Sequence, residues 1–151
     1  MLGTLNTVQI DELLGNNITG RIGCTDGKKM YVVPVSYAFN GTYLVIHSRE
    51  GMKVNMMRQH PDVCFQVDEI DNHANWRSVI LWGRYEELTD PKERYYAMKF
   101  LVSRLMHVPV SETAGVEAMH QEMAQQDEAP VIKPIVYRIR ITEKTGRFEK
   151  H

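Results

Sequence analysis

Cysteine is scarce in this chain of 151 residues: there are two, Cys24 and Cys64, and no Cys-x-x-Cys pair. That spacing leaves the thioredoxin and zinc-ribbon readings without support. Each cysteine lies in an apolar run (Ile22-Gly23-Cys24 and Val63-Cys64-Phe65). Both are therefore expected to be buried, reduced thiols acting as small hydrophobes. No run of about 18 apolar residues occurs, so no membrane span is expected. The first nine residues, Met1 to Gln9, lack a basic start followed by an apolar stretch. No secretory signal is expected, and a cytoplasmic location goes with that. An excess of one charge is also missing: 18 Lys and Arg stand against 19 Asp and Glu, a net charge of −1. Nucleic acid is not an expected partner of so balanced a surface. There is no GxGxxG, no P-loop and no GxSxG. The dinucleotide-fold, NTPase and serine-hydrolase readings fall away with them.

What is present describes an ordinary folded protein. Hydrophobic residues make up 43% and charged residues 25%, a common globular balance. The length suits one domain over residues 1–151, with no internal repeat or low-complexity linker. Nine methionines are unusual for this size and suggest an adaptable core.

Short alternating runs separated by turn residues dominate the chain. A helix is expected over 8–15, stopped at Gly15-Asn16-Asn17. Ile18, Gly20, Ile22 and Cys24 alternate with polar residues as a strand with one buried face. Asp26-Gly27 turns the chain. Strands over 30–39 and 42–48 flank Asn40-Gly41, the strongest hairpin signal present. A type I′ turn there pairs Phe39 with Thr42, Tyr37 with Leu44 and Val35 with Ile46. Pro34 then faces His47, which makes its strand an edge or bends it. A short helix over 51–60 ends at Pro61, a strand follows over 63–67, then a polar loop over 68–75, then a long strand over 76–88. Asp90-Pro91-Lys92-Glu93 begins a helix running to about His107, with a cap, proline at the first helical position and an acid in place. A further helix is expected over 112–125 and a sixth strand over 135–141. The whole is mainly β: a six-stranded barrel with added helices.

The chemistry concentrates in His47-Ser48-Arg49-Glu50-Gly51-Met52-Lys53. A strand ends, a glycine-containing turn follows and a helix begins. A helix N-terminus offers unpaired N–H groups and partial positive charge. Ser48 adds a hydroxyl, and Arg49 and Lys53 add cations. The set suits a phosphate monoester. Trp76 and Trp82 fall on one face of their strand; Trp82 is expected in the core, while Trp76 meets a cofactor or a partner subunit. Glu117 and His120 have helical metal-ligand spacing, but no further ligands accompany them, so no metal site is expected.

These segments form an ordered series: Tyr31-Val32-Val33-Pro34-Val35-Ser36-Tyr37, the His47-Ser48 turn, Met57 to Asp68, and Trp76-Arg77-Ser78-Val79-Ile80-Leu81-Trp82-Gly83-Arg84. The series resembles the pyridoxamine 5′-phosphate oxidase-like FMN-binding split barrels. It is nearest the branch that holds the nitroimidazole-resistance proteins. The resemblance runs from about Leu13 to about Glu143. It implies a homodimer with FMN at the subunit interface. By it, Ser48 and Lys53 hold the FMN phosphate, and Val32, Val33, Pro34 and Val35 lie against the flavin ring. Trp76 and Ser78 lie near the cofactor, and His47 approaches the flavin as the candidate catalytic residue. A small electrophile such as a nitroaromatic is the implied substrate, with a nicotinamide as possible electron donor.

The chain also departs from the oxidases. Met52 stands before Lys53 where they carry a further cation. Their C-terminal arginine segment for pyridoxal phosphate is not matched by Arg138-Ile139-Arg140 or Arg147. Looser FMN binding is expected, and pyridoxamine phosphate oxidation is not. Other occupations of the same fold stay open: a non-catalytic flavin carrier or sensor, a deazaflavin enzyme, or a heme protein using His47, His60 or His107.

Overall fold

The computed structural model describes residues 1–106 and 134–151. The chain orders as β1 (Leu2–Thr4), α1 (Thr7–Asn16), β2 (Thr19–Thr25), β3 (Met30–Phe39), β4 (Tyr43–Ser48), α2 (Met52–Gln59), β5 (Asp62–Asn72), β6 (Asn75–Glu87), α3 (Pro91–Leu105) and β7 (Ile135–Glu149). All strand pairs are antiparallel. The order β7-β4-β3-β2-β5-β6 closes on itself because β6 also pairs with β7. Six strands thus make the expected barrel, and the pairing of β6 with β7 covers two strand edges of the kind that invite aggregation. The short β1, absent from the sequence expectation, joins the outer side of β7.

Alternation in the strands follows the barrel wall. Ile22, Tyr37, Leu44, Ile46, Phe65, Val67, Val79, Leu81, Tyr137 and Ile139 fill the interior. Leu13 and Leu14 of α1 join that core, and Tyr37 Oη donates to the Leu14 carbonyl at 2.7 Å. A capping box starts α1: Gln9 N donates to Asn6 Oδ1, and Asn6 N to Gln9 Oε1, both at 2.9 Å. Asp90 caps α3 through Glu93 N at 3.0 Å, with Pro91 at the first helical position. Outside the barrel, Met98, Leu101, Val102 and Leu105 of α3 pack on Ala38, Val45 and Val136. Among the described residues, no helix is long and apolar enough to cross a membrane.

The sequence expectations need four corrections here. The β3–β4 turn is centred one residue later than Asn40-Gly41, so Phe39 faces Leu44 and Tyr37 faces Ile46. A type I′ turn needs two left-handed residues, and only Gly41 has positive φ (98°). Asn40 instead uses its side chain to accept from Thr42 N and Tyr43 N at 2.9 and 2.7 Å. Pro34 therefore faces Arg21 of β2, not His47. The polar stretch after Val67 is no loop: β5 and β6 continue to Asn72 and from Asn75, because ladder pairing carries polar residues on an exposed hairpin. The last strand runs to Glu149, well beyond 141. Its register with β6 shifts at Gly83, where a Cβ would sit 2.5 Å from the Arg140 carbonyl oxygen. The expected helix over 112–125 and His107 lie outside the described residues, as do Glu117 and His120.

Candidate functional site

β3 changes neighbours along its length. From Met30 to Ser36 it ladders with β2, and only from Tyr37 to Phe39 with β4. Pro34 thus lies where the strand has a neighbour on one side only. Beyond Ile46, β4 pairs with β7 alone, His47 facing Val136 and Ser48 facing Ile135. The two strands part there, and the turn into α2 begins at the parting.

This turn is rich in unsatisfied positive potential. Gly51 brings no side-chain cap to α2, and the first turn of α2 holds no acid. Lys53 is half-buried and, among the described residues, has no carboxylate partner. Burial pulls its ammonium pKa below the ordinary lysine value, and the nearby Cys24 opposes this. The Cys24 thiol lies buried beneath, 3.8 Å from Met56 Sδ. Burial raises its pKa against the pull of Lys53. Arg49 is exposed and likewise has no carboxylate partner among the described residues. Ser48 is 2% exposed, and its hydroxyl donates to the Arg49 carbonyl at 3.0 Å. An uncapped helix start and a desolvated ammonium form a donor set that fits an anion with several acceptor oxygens, which the Ser48 hydroxyl joins by turning from the Arg49 carbonyl.

The other expected site residues distribute between the two faces of the wall. Ser48 follows the interior-facing parity of Leu44 and Ile46, whereas His47 follows Val45, on the face that α3 covers. His47 is 8% exposed. Val33 and Val35 pack toward the interior core, while Val32 and Pro34 are exposed outward. Trp76 and Ser78 lie on β6, facing Glu149 and Arg147 of β7. Ser48 faces Ile135 at the opposite end of β7. The separation along that strand is roughly 40 Å of chain path. One chain therefore places Ser48 and Lys53 in the turn that leaves the parting of β3 and β4, and sets Trp76 and Ser78 at the other end of β7 from Ser48. Trp76 Nε1 donates to Glu149 Oε1 at 3.3 Å, and Ser78 Oγ accepts from Gln66 Nε2 at 3.0 Å.

Two aromatic and sulfur placements differ from expectation. Trp82 is not core but 40% exposed, as is Ile80, because Val79, Leu81 and Tyr85 take the inward positions of β6. Cys64, facing Trp82 across the β5–β6 ladder, is likewise exposed. With Val32 at 68% and Met30 at 87%, they give the β3-β2-β5-β6 side an apolar outer surface. Both cysteines are free. His60 is exposed at the end of α2, near the turn at Gly27. A separate groove of about 370 Å³ between α3 and the β4–β7 wall is lined by Tyr43, Tyr96, Phe100 and Arg138; it holds none of the expected site residues.

Sequence reasoning missed a charged clasp beside the turn. Arg58, at the last turn of α2, donates to both oxygens of Glu50 at 2.8 and 3.0 Å. It also donates to both oxygens of Glu87 at 2.8 and 3.2 Å. Tyr85 Oη donates to Glu87 at 2.7 Å. The hydrogen bond from Arg58 holds the Glu87 carboxyl below the ordinary glutamate pKa, outweighing the effect of burial. Glu50 precedes the cap residue Gly51 and so lies outside the helix, which is why no helical spacing signalled its pairing with Arg58.

The family model for pyridoxamine 5′-phosphate oxidase matches residues 6–148. An uncharacterized protein of Rhizobium meliloti (strain 1021) is 30% identical over 131 residues, covering 84% of this chain and 82% of that protein. The crystal structure of an FAD-binding protein from Mesorhizobium loti superposes with a TM-score of 0.75 at 28% identity, over 100% of this chain and 98% of that one. A candidate 5-nitroimidazole antibiotic resistance protein from Bacteroides thetaiotaomicron shares the fold, with a TM-score of 0.71 at 19% identity over 98% and 89% of the two chains. The closed six-stranded barrel, the parting of β3 from β4 and the match over nearly the whole length agree: this chain belongs to the pyridoxamine 5′-phosphate oxidase family, with the split-barrel fold.

Proposed function

We propose that the protein binds a flavin, FMN by preference, and works as an oxidoreductase on a small electrophile. The observation that carries this reading is the turn from Ser48 to Lys53, where a desolvated ammonium and an uncapped helix start stand without a counter-anion from the described chain. A phosphate monoester supplies that anion. Family membership and the FAD-binding name of the Mesorhizobium loti relative support a flavin as its carrier.

When bound, the flavin supplies hydride acceptance and electron transfer. The chain's own part is to hold and orient. Ser48, Lys53 and the first N–H groups of α2 hold the phosphate. The free side of β3 at Val32, Val33, Pro34 and Val35 presents backbone groups to a ring laid against it. His47 is the candidate proton donor to a reduced substrate. Trp76 and Ser78, distant from Ser48 within one chain, reach the cofactor from a second copy. The exposed surface of Val32, Cys64, Ile80 and Trp82 is the face on which that copy sits, in a two-fold homodimer. A nicotinamide is the proposed electron donor and a nitroaromatic the proposed class of acceptor.

The test is the absorption spectrum of the purified protein, with mass spectrometry of the released cofactor and titration with FMN, FAD and riboflavin. A flavin spectrum with FMN preferred is the expected outcome. A Soret band, or failure to bind any flavin in either redox state, overturns the reading. Nicotinamide-dependent reduction of a nitroaromatic faster than with free FMN is expected. A rate equal to that of free FMN would leave a carrier and remove the enzyme.

A further inference from the structure

We propose that Arg58 is a positioning residue for the flavin phosphate: it keeps the carboxylate of Glu50 out of the seat formed by Ser48, Lys53 and the start of α2. This inference rests on the reading of that seat given above.

Glu50 directly precedes Gly51, the cap residue of α2. Anions are favoured at a helix N-terminus, and the ammonium of Lys53 stands close by in sequence with no acid on it. Simple charge pairing would send Glu50 there. The carboxylate lies instead along the flank of α2, gripped through both oxygens by Arg58, two turns further on. Side chains on a helix lean toward its N-terminus, so Arg58 reaches back past Val54 to take it. The guanidinium is itself fixed from the far side by Glu87 of β6, which Tyr85 orients. Two carboxylates thus share one guanidinium while Lys53 and Arg49 have none. Glu50 is the most exposed member of the network, at 57%, so the Arg58–Glu50 arm adds less to stability than the inner Arg58–Glu87 arm. Its further consequence is that the helix start and Lys53 are left vacant for an incoming phosphate.

FMN and riboflavin differ by that phosphate, so their affinities for the cofactor-free protein separate the cases. The wild type is expected to bind FMN at least about tenfold more tightly than riboflavin. Arg58→Ala should weaken FMN by about tenfold or more and leave riboflavin within about twofold. Glu50→Gln added to Arg58→Ala should restore FMN binding, because the competing charge is gone. Glu50→Asp keeps the charge but is too short to reach Arg58, and should weaken FMN as Arg58→Ala does; it carries the test if Arg58→Ala folds poorly. Equal weakening of both ligands, no weakening, or no rescue by Glu50→Gln would overturn the role of Arg58. A wild type that does not prefer FMN to riboflavin overturns the phosphate seat itself, a result distinguishable from failure of the clasp.

Discussion

The barrel has two outer walls made of similar alternating strands, and the chain covers one of them. On the first, Ala38, Val45 and Val136 lie under Met98, Leu101, Val102 and Leu105 of α3, and each of these seven is 5% exposed or less. On the second, Val32, Ile80 and Trp82 stand 68%, 40% and 40% exposed around Cys64. Both walls carry apolar outward positions. The difference lies in the source of the cover: one cover is a helix of the same chain, and the other is proposed to be a second copy. Trp76 and Ser78 belong to the same outer face as Ile80 and Trp82 by strand alternation, which links the bare wall to the separated half of the expected site.

The largest expected effect tests the covered wall. Leu101→Ala should cost about 2–5 kcal/mol by urea unfolding, since it opens a cavity under α3. Val32→Ala should stay within about 0.5 kcal/mol in the isolated subunit. Equal costs would erase the contrast between the walls. The next tests the bare wall directly. Trp82→Arg should weaken self-association by about 2 kcal/mol or more, read by sedimentation; a wild type that is monomeric with flavin bound would remove the second copy. In the turn into α2, Lys53→Ala should weaken FMN binding by about 1–3 kcal/mol, as for a charged hydrogen bond. Unchanged affinity would move the phosphate elsewhere. The same ammonium sets a pH dependence. Its pKa is lowered, so its grip is present while it is protonated and fades as pH rises, beginning below the ordinary lysine value of 10.5. FMN titrations across that range should show the decline, and riboflavin titrations should not. The smallest effect concerns β7, the strand beneath both regions. Tyr137 Oη is buried with no hydrogen-bond partner among the described residues. Tyr137→Phe should therefore be neutral or stabilising, within about 1 kcal/mol.

Much of the barrel was legible because its strands alternate strictly. The helix start at Asp90-Pro91 was legible because capping chemistry is local. The turn at Asn40 was misplaced because two turn geometries compete there, and the side chain of Asn40 decided between them through contacts that no dipeptide signal records. Trp82 was misassigned for a different reason. Period-two alternation says that Trp82 and Leu81 face opposite ways, but not which way is inward; only closure onto β7 decides that. For the candidate site, the cations and the helix start were readable as local chemistry. The separation of Ser48 from Ser78 was not, since it depends on where each lands along a strand far away in sequence. The clasp of Arg58 on Glu50 and Glu87 was not readable, since Glu50 lies before the helix and Glu87 on β6, far away in sequence.

The long β7 carries a consequence for how the molecule is made. It pairs with β1, β4 and β6, so the barrel cannot close until a strand that follows all the others in sequence has been synthesised. Pairs such as Leu2 with Glu149 give the fold a high contact order, and loop-closure entropy must be met before those pairs stabilise anything. Until then β4 and β6 present open edges to other chains. Closure of this barrel thus waits for β7, and its most aggregation-prone moment falls just before that strand docks.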